Sequence, residues 1–182
     1  MSRNQVLRWE TDRLQIREVE ARDLEDLHAV FASNADFLWL RENIAATSYD
    51  LTALSHYWEH AALDPGRYVL SVCAKQGGPA IGLVDFVDQS PADGMPWIGL
   101  VVIHADHQRR GVGSEAVMAV TAHLQLQGHS AVRMAVLEDN EAGKEFARSL
   151  GFKDYETSLT PTGGMPRLVV LLELRLAPHV SG

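Results

Sequence analysis

The spacing of apolar residues changes several times along the chain, and each change marks a predicted element. Leu14 to Val19 reads as a short strand. Asp23, Leu24, Leu27, Val30 and Phe31 then recur at helical spacing, which predicts an amphipathic helix ending near Asn34. A second helix fits Leu51, Leu54, Trp58 and Ala61 or Ala62, and stops before Asp64-Pro65-Gly66, where proline lacks the N–H that a helix needs. From Tyr68 the period falls to two. Tyr68–Ala74 and Ile81–Val87 are predicted strands, joined through Gln76-Gly77-Gly78-Pro79 into an antiparallel hairpin. After a surface loop from Asp88 to Pro96, Trp97–Ile103 is nearly all apolar and reads as a mid-sheet strand buried on both faces.

A helix bearing Val117, Val120 and Leu124 follows, and Gly128 can end it in the left-handed conformation. Val132–Leu137 is the next strand, and a helix from about Asn140 to Leu150 ends at Gly151. Phe152–Leu159 and Leu168–Leu176 close the chain around a turn at Thr160-Pro161-Thr162-Gly163-Gly164. The order β-α-α-β-β-β-α-β-α-β-β describes an α/β (α+β) fold with one mixed sheet and helices on its faces. With 182 residues and no repeat, linker or low-complexity tract, the chain reads as one domain over 1–182, its core about 11–176.

Charge and cysteine content narrow the function. Lys plus Arg number 16 against 24 Asp plus Glu, and a net charge of −8 would repel a phosphate backbone, so nucleic acid is not an expected partner. An acidic surface suits a cationic substrate instead. No apolar run approaches the roughly 18–20 residues that span a bilayer, so no membrane partner is expected. The first ten residues carry Arg3, Arg8 and Glu10 and no apolar core of a secretory signal, which makes the cytoplasm the expected compartment. Cys73 is the only cysteine, which rules out an intramolecular disulfide and a Cys-based zinc finger; lying on a strand that reads as core, it is expected to be a buried, inert thiol.

The chemistry concentrates between Trp97–Ile103 and the helix that follows. N–H groups at a helix N-terminus lack intrahelical partners and sit at the positive end of the helix dipole, and glycine lets a ligand approach them closely. Gly111-Val112-Gly113-Ser114 is therefore a candidate pyrophosphate cradle, with Arg109 and Arg110 adding charge on the loop leading in. Gln108-Arg109-Arg110-Gly111-Val112-Gly113 matches throughout the coenzyme A motif Gln/Arg-x-x-Gly-x-Gly/Ala, and on it the chain resembles the GCN5-related N-acetyltransferase (GNAT) superfamily. The resemblance runs nearly full length. It takes in Thr11-Asp12-Arg13-Leu14-Gln15-Ile16-Arg17, the helix from Asp23-Leu24, the order of elements, and Asn140-Glu141-Ala142 leading to Leu150-Gly151-Phe152. The opening is similar to that of the bacterial ribosomal-protein-acetylating branch.

This resemblance implies acetyl-CoA as cosubstrate, no metal, and direct acetyl transfer to a primary amine of a small molecule or a protein N-terminus. It implies that backbone groups near Val101 and Ile103 engage the acetyl and pantetheine arm. The motif from Gln108 through Arg109, Arg110, Gly111, Val112 and Gly113 to Ser114 would hold the pyrophosphate, and Asn140 would contact the cofactor near its thiol. A homodimer is left open.

Two positions depart from the family pattern. Ala147 follows Phe146 where the family often has a Tyr that protonates the leaving thiolate; Tyr155 is the candidate replacement, with Ser149 a second. A thiol of pKa near 8.5 leaves tolerably as thiolate, so this loss is expected to slow turnover rather than abolish it. Trp97 stands where relatives in this branch often place a Glu. An alkyl ammonium of pKa near 10.4 is free amine in only about one molecule in 2,500 at pH 7, so attack needs a proton acceptor. Asp85, a carboxylate inside an apolar strand, is the candidate base, alongside Asp88, Glu138, His104 and His107.

Three other readings fit parts of the same sequence. Gly111-x-Gly113-x-x-Ala116 satisfies a dinucleotide fingerprint, with Glu138 placed for a ribose, but seven residues from His104 to Arg110 separate the strand from the first glycine. His56-Tyr57-Trp58-Glu59-His60 has the spacing of a zinc peptidase, which would need a third ligand from a neighbouring element. In the family layout this helix borders the acceptor pocket, which makes His56, Tyr57 and Trp58 candidate specificity residues. Ala147 and Trp97 motivate the third reading, a module that holds acyl-CoA without turning it over.

Overall fold

The computed structural model describes residues 6–36, 50–162 and 165–178. Its strands are β1 (Arg8–Glu10), β2 (Leu14–Glu18), β3 (Arg67–Ala74), β4 (Ala80–Val87), β5 (Trp97–Ile103), β6 (Ala131–Leu137), β7 (Lys153–Thr162) and β8 (Met165–Arg175). Its α-helices are α1 (Leu24–Ala32), α2 (Leu51–Leu63), α3 (Val112–Leu126) and α4 (Glu141–Ser149). All strands join one mixed sheet in the order β1-β2-β3-β4-β5-β6-β8-β7. Only β5 and β6 run parallel; every other neighbouring pair is antiparallel. The antiparallel meander from β2 to β5 excludes the βαβ start that a dinucleotide fold requires.

Period-two alternation gives this sheet two buried faces. Leu14 and Ile16 of β2, Leu70 and Val72 of β3, and Val84 and Phe86 of β4 turn to one face, where Val117, Val120 and Leu124 of α3 cover them. Val69 and Cys73 of β3, Leu83 of β4, and Leu100 and Val102 of β5 turn to the other. There Leu27, Val30 and Phe31 of α1 and Leu54 of α2 close the layer. Cys73 is buried, and burial pushes its thiol pKa up, away from the reactive thiolate.

Three features differ from the sequence expectations. The edge strand β1 has three residues, too few for a period to register. Strands β7 and β8 run on through Thr162 and from Met165, past Pro161, because β7 is an edge strand where a missing N–H is tolerated; Gly163 and Gly164 of the expected turn lie outside the described residues. Finally, β5 is mid-sheet but is not buried on both faces along its length: Gly99 is exposed and Val101 half-buried.

The exposure coincides with the β5–β6 junction. β5 is paired with β4 from Trp97 to Ile103 except at Gly99, which a register shift leaves without a partner, and β6 with β8 from Ala131 to Leu137. Between β5 and β6, however, only Trp97↔Arg133 and Ile98↔Met134 are in register. Arg133 pins the closed end: its N–H donates to Pro96 O at 2.9 Å, and its guanidinium bonds Asp93 at 2.9 Å and Glu173 at 3.0 Å. Asp93 also accepts from the Trp97 indole N–H at 3.0 Å. Beyond Ile98 the two strands part.

One buried ion pair ties the first helix to the sheet. Arg17 on β2 donates two 2.7 Å bonds to Asp23, and the Ser71 hydroxyl of β3 adds a third at 3.0 Å. Burial alone would push the Asp23 pKa up, but the bonds from Arg17, the Glu20 N–H and Ser71 outweigh it and hold the carboxyl below its ordinary value. The resulting stabilisation is complete above about pH 4 and is lost as pH falls through the depressed folded pKa. Asp23→Ala is expected to destabilise the fold by about 3–5 kcal/mol, since it strands a buried guanidinium. Urea unfolding at pH 7 and again near pH 3 checks both statements, because the difference between wild type and variant should narrow in acid.

Candidate functional site

A cavity of about 940 Å³ fills the space where β5 and β6 part. One wall is Val101–Ile103 of β5 with Asn34 beyond the end of α1; the other is α4, through Asn140, Gly143, Glu145, Phe146 and Ser149. Its end is Gln108, Arg109 and the run Gly111–Ser114.

The strand wall follows from simple alternation. His104 N–H donates to Ile81 O at 2.9 Å, on the β4 side. Backbone groups two residues apart point the same way, so Val102 addresses β4, while Val101 and Ile103 turn their N–H and C=O groups toward the parted side. One of these is already used. Ile103 O accepts from Gln108 Nε2 at 2.9 Å and from Asn34 Nδ2 at 3.0 Å, and Gln108 Nε2 also donates to Asn34 Oδ1 at 2.7 Å. Gln108, expected to hold the pyrophosphate, thus braces the end of β5 against the end of α1.

The end of the cleft is built by backbone strain and by a helix terminus. Arg109 has φ 58° and Gly111 φ 79°, both left-handed. Gly111 adopts this freely and becomes the N-cap of α3, whose first intrahelical bond is Glu115 N–H to Gly111 O at 3.0 Å. The N–H groups of Val112, Gly113 and Ser114 therefore have no intrahelical acceptor and sit at the positive end of the helix. A Cβ on Gly113 would lie 3.4 Å from Phe146 and 3.5 Å from Ile103, so a methyl fits there in ordinary contact and a larger side chain meets both walls. Arg109 lines the cleft among the described residues and Arg110 does not, although sequence treated them alike.

Asn140 caps α4: its Oδ1 accepts from Gly143 N–H at 2.9 Å, and a Cβ on Gly143 would lie 2.6 Å from its Nδ2. The amide is held at the mouth of the cleft by its own helix. Ala147, where the family often has Tyr, lies fully buried on the inner face of α4, whereas Ser149 lines the cleft and donates to Phe146 O at 2.6 Å.

Asp85 and Tyr155 are not brought to this cleft. Asp85 is 3% exposed, and its carboxylate is 2.6 Å from Arg67 Nη2 and accepts from the Tyr57 hydroxyl. This explains a charge inside an apolar strand and joins two sequence candidates, Tyr57 and Asp85, in one cluster. Arg67 is raised above its ordinary pKa chiefly by its bonds to Asp85. Tyr155 lies under the Arg133 guanidinium, 5.1 Å from ring centroid to Cζ, and burial pushes its phenol pKa up. Among the described residues, no group of three His, Cys, Asp or Glu side chains is placed to hold a metal ion, and no helix is long and apolar enough to cross a membrane.

Sequence reasoning missed the contribution of Ser33, Asn34, Asp36 and Glu145 to the cleft. Asn34 was legible only as a helix end, and its bonds span 69 and 74 residues.

Parted parallel strands leading to a left-handed glycine and a helix N-terminus define the site, and the comparisons agree on its class. The acetyltransferase (GNAT) domain model matches residues 13–153, so the chain belongs to the GNAT acetyltransferase family. Similar solved structures include a GCN5-related N-acetyltransferase from Brucella melitensis, with 14% identity, TM-score 0.80, and coverage of 96% of this chain and 80% of that one. An acetyltransferase from Thermus thermophilus has 24% identity and TM-score 0.73 over 90% and 97%. RimL, a ribosomal L7/L12 alpha-N-protein acetyltransferase in complex with coenzyme A, has 14% identity and TM-score 0.76 over 94% and 98%. No curated protein matches the chain.

Gly111→Ala is expected to destabilise the protein by about 1–2 kcal/mol, because an L-residue resists the left-handed region and its Cβ would meet Arg13 Nη2 at 3.1 Å. Gly111→Asn should lose less, since Asn visits that region more readily. Urea denaturation of the two variants side by side gives the comparison.

Proposed function

We propose that this acetyltransferase binds acetyl-CoA in the β5–β6 cleft and transfers the acetyl group directly to a primary amine of a small molecule or a peptide N-terminus. The observation that carries the reading is the continuity of the cleft: backbone groups of Val101 and Ile103 along one wall lead to the N–H groups of Val112–Ser114 at its end. That donor set suits an elongated ligand with a diphosphate at one end and a carbonyl at the other. Bound acetyl-CoA supplies the thioester.

In this reading the first-turn amides of α3 hold the pyrophosphate, and Arg109 adds positive charge beside it. Val101 and the Ile103 N–H align the pantetheine arm as a further strand would be aligned, which fixes the reacting carbonyl in place. Asn140, fixed by its capping bond, lies on the wall facing them. The amine nitrogen forms the new C–N bond, the C–S bond breaks with coenzyme A leaving as its thiolate, and the amine's proton passes to solvent water in the open cleft. Ser149, a hydroxyl on the cleft wall that donates to Phe146 O, can relay a solvent proton to the departing thiolate. Asp85, locked by Arg67 and Tyr57, is assigned no proton transfer here. Asp36 and Glu145 give the cleft walls negative charge that suits a cationic acceptor.

Ala147 favours a second reading, a module that binds acyl-CoA without turnover, since no tyrosine stands at that helix position.

Acetyl-CoA at about 100 times its Kd should add about 2.7 kcal/mol, which raises Tm by roughly 5–10 °C for a chain of this length. NAD and a zinc chelator should leave Tm unchanged. Gly113→Val should abolish the acetyl-CoA shift, because its methyls would crowd Phe146 and Ile103 beside the first-turn N–H groups. Release of free thiol above the enzyme-free rate in a primary-amine screen supports the enzyme; a Tm shift without thiol release for any amine supports the binding module. No shift with acetyl-CoA contradicts both.

A further inference from the structure

The cradle at the start of α3 is fastened from far away in the chain. Thr11 and Arg13, just before β2, both grip Glu115 in the first turn of α3. The Thr11 hydroxyl donates to Glu115 Oε1, and the Arg13 N–H donates to the same oxygen at 3.1 Å. Arg13 Nε donates to Oε2 at 2.7 Å, and Nη2 lies 2.6 Å from it. The remaining arm of the guanidinium, Nη1, donates to Arg110 O at 2.9 Å. Thr11 is fixed in turn, because its oxygen accepts from Leu14 N–H at 2.9 Å. One planar fork therefore spans from the helix to the loop before it, across the left-handed Gly111.

Charge gives this arrangement a consequence for binding. Glu115 is the acidic residue in the first turn of α3, near the positive helix end that an incoming diphosphate would use. Left unpaired, its carboxylate would compete for that field and repel the ligand. Burial pushes its pKa up, but the bonds from Thr11 and Arg13 outweigh burial and keep it ionised and engaged.

We propose that Thr11, Arg13 and Glu115 are positioning residues for the acyl-CoA site: they hold the Arg109–Gly111 loop in its left-handed course and neutralise the one carboxylate in the first turn of α3. The inference rests on the reading of Gly111–Ser114 as the pyrophosphate site, and the tests keep the two apart.

Coenzyme A is titrated calorimetrically into the wild-type chain and into Arg13→Ala, Thr11→Val, Thr11→Ser and the double variant Arg13→Ala/Glu115→Gln. Arg13→Ala should weaken coenzyme A about tenfold or more. Thr11→Val should weaken it several-fold while Thr11→Ser stays within twofold, because serine keeps the hydroxyl. The double variant should bind more tightly than Arg13→Ala alone, since the freed carboxylate is gone; a merely structural clasp predicts further loss instead. Arg13→Ala and Thr11→Val both within twofold of wild type, or a double variant no tighter than Arg13→Ala, would overturn the proposal while leaving the site reading intact. If Arg13→Ala does not fold, the Thr11→Val and Thr11→Ser pair decides the matter by the same criterion. No coenzyme A binding by the wild-type chain would overturn the pyrophosphate reading, and the clasp with it.

Discussion

Parallel strands hold one another through evenly spaced backbone hydrogen bonds, and β5 and β6 begin that pattern with Trp97↔Arg133 and Ile98↔Met134 before abandoning it. Each strand is supported along its outer edge, β5 by β4 and β6 by β8, so the sheet survives a gap in its middle. The gap leaves backbone groups of Val101 and Ile103 on β5 without strand partners on that side, as it does the β6 residues beyond Met134. An unpaired edge inside a sheet is a liability unless something fills it. The cleft, the glycine-bounded start of α3 and the capped start of α4 all converge on that gap.

Arginine forks stabilise the elements around it. Arg133 closes the joined end of the two strands through Asp93 and Glu173. Arg17 binds Asp23 and so seats α1, whose C-terminal side supplies Asn34 to the cleft. Arg67 and Tyr57 engage Asp85 and link α2 to β4. Arg13 secures the start of α3 through Glu115. In an acidic chain with 16 basic residues, these four arginines serve the architecture, and Arg109 is the guanidinium placed on the cleft wall.

Much of this was legible in the residues themselves. The period change at Tyr68, the breaker Asp64-Pro65-Gly66 and the glycines at 111 and 128 placed the strands and helices close to their observed bounds. The left-handed glycine and the helix N-terminus that follows it were legible because they arise from local backbone geometry. The partners of charged residues were not. Glu115 is 102 residues from Arg13, and Asp85 is 18 residues and one hairpin from Arg67, so no local spacing links them. Asp85 consequently read as a free carboxylate seeking a role, and Gln108 as a ligand for phosphate, when the fold gives the first an ion pair and the second a strand end to brace. By its apolar pattern alone Val101 read as core, and only the family resemblance pointed to its backbone, because an apolar strand gives no sign that its neighbour will turn away after two residues.

Amide hydrogen exchange with and without coenzyme A tests the central claim most directly, because it reports on the backbone groups that the gap leaves unpaired. Protection on ligand addition should appear at Val101–Ile103 and Arg109–Ser114 and leave the β2–β4 meander unchanged. Protection confined to other elements, or none at a coenzyme A concentration that saturates binding, would contradict the account.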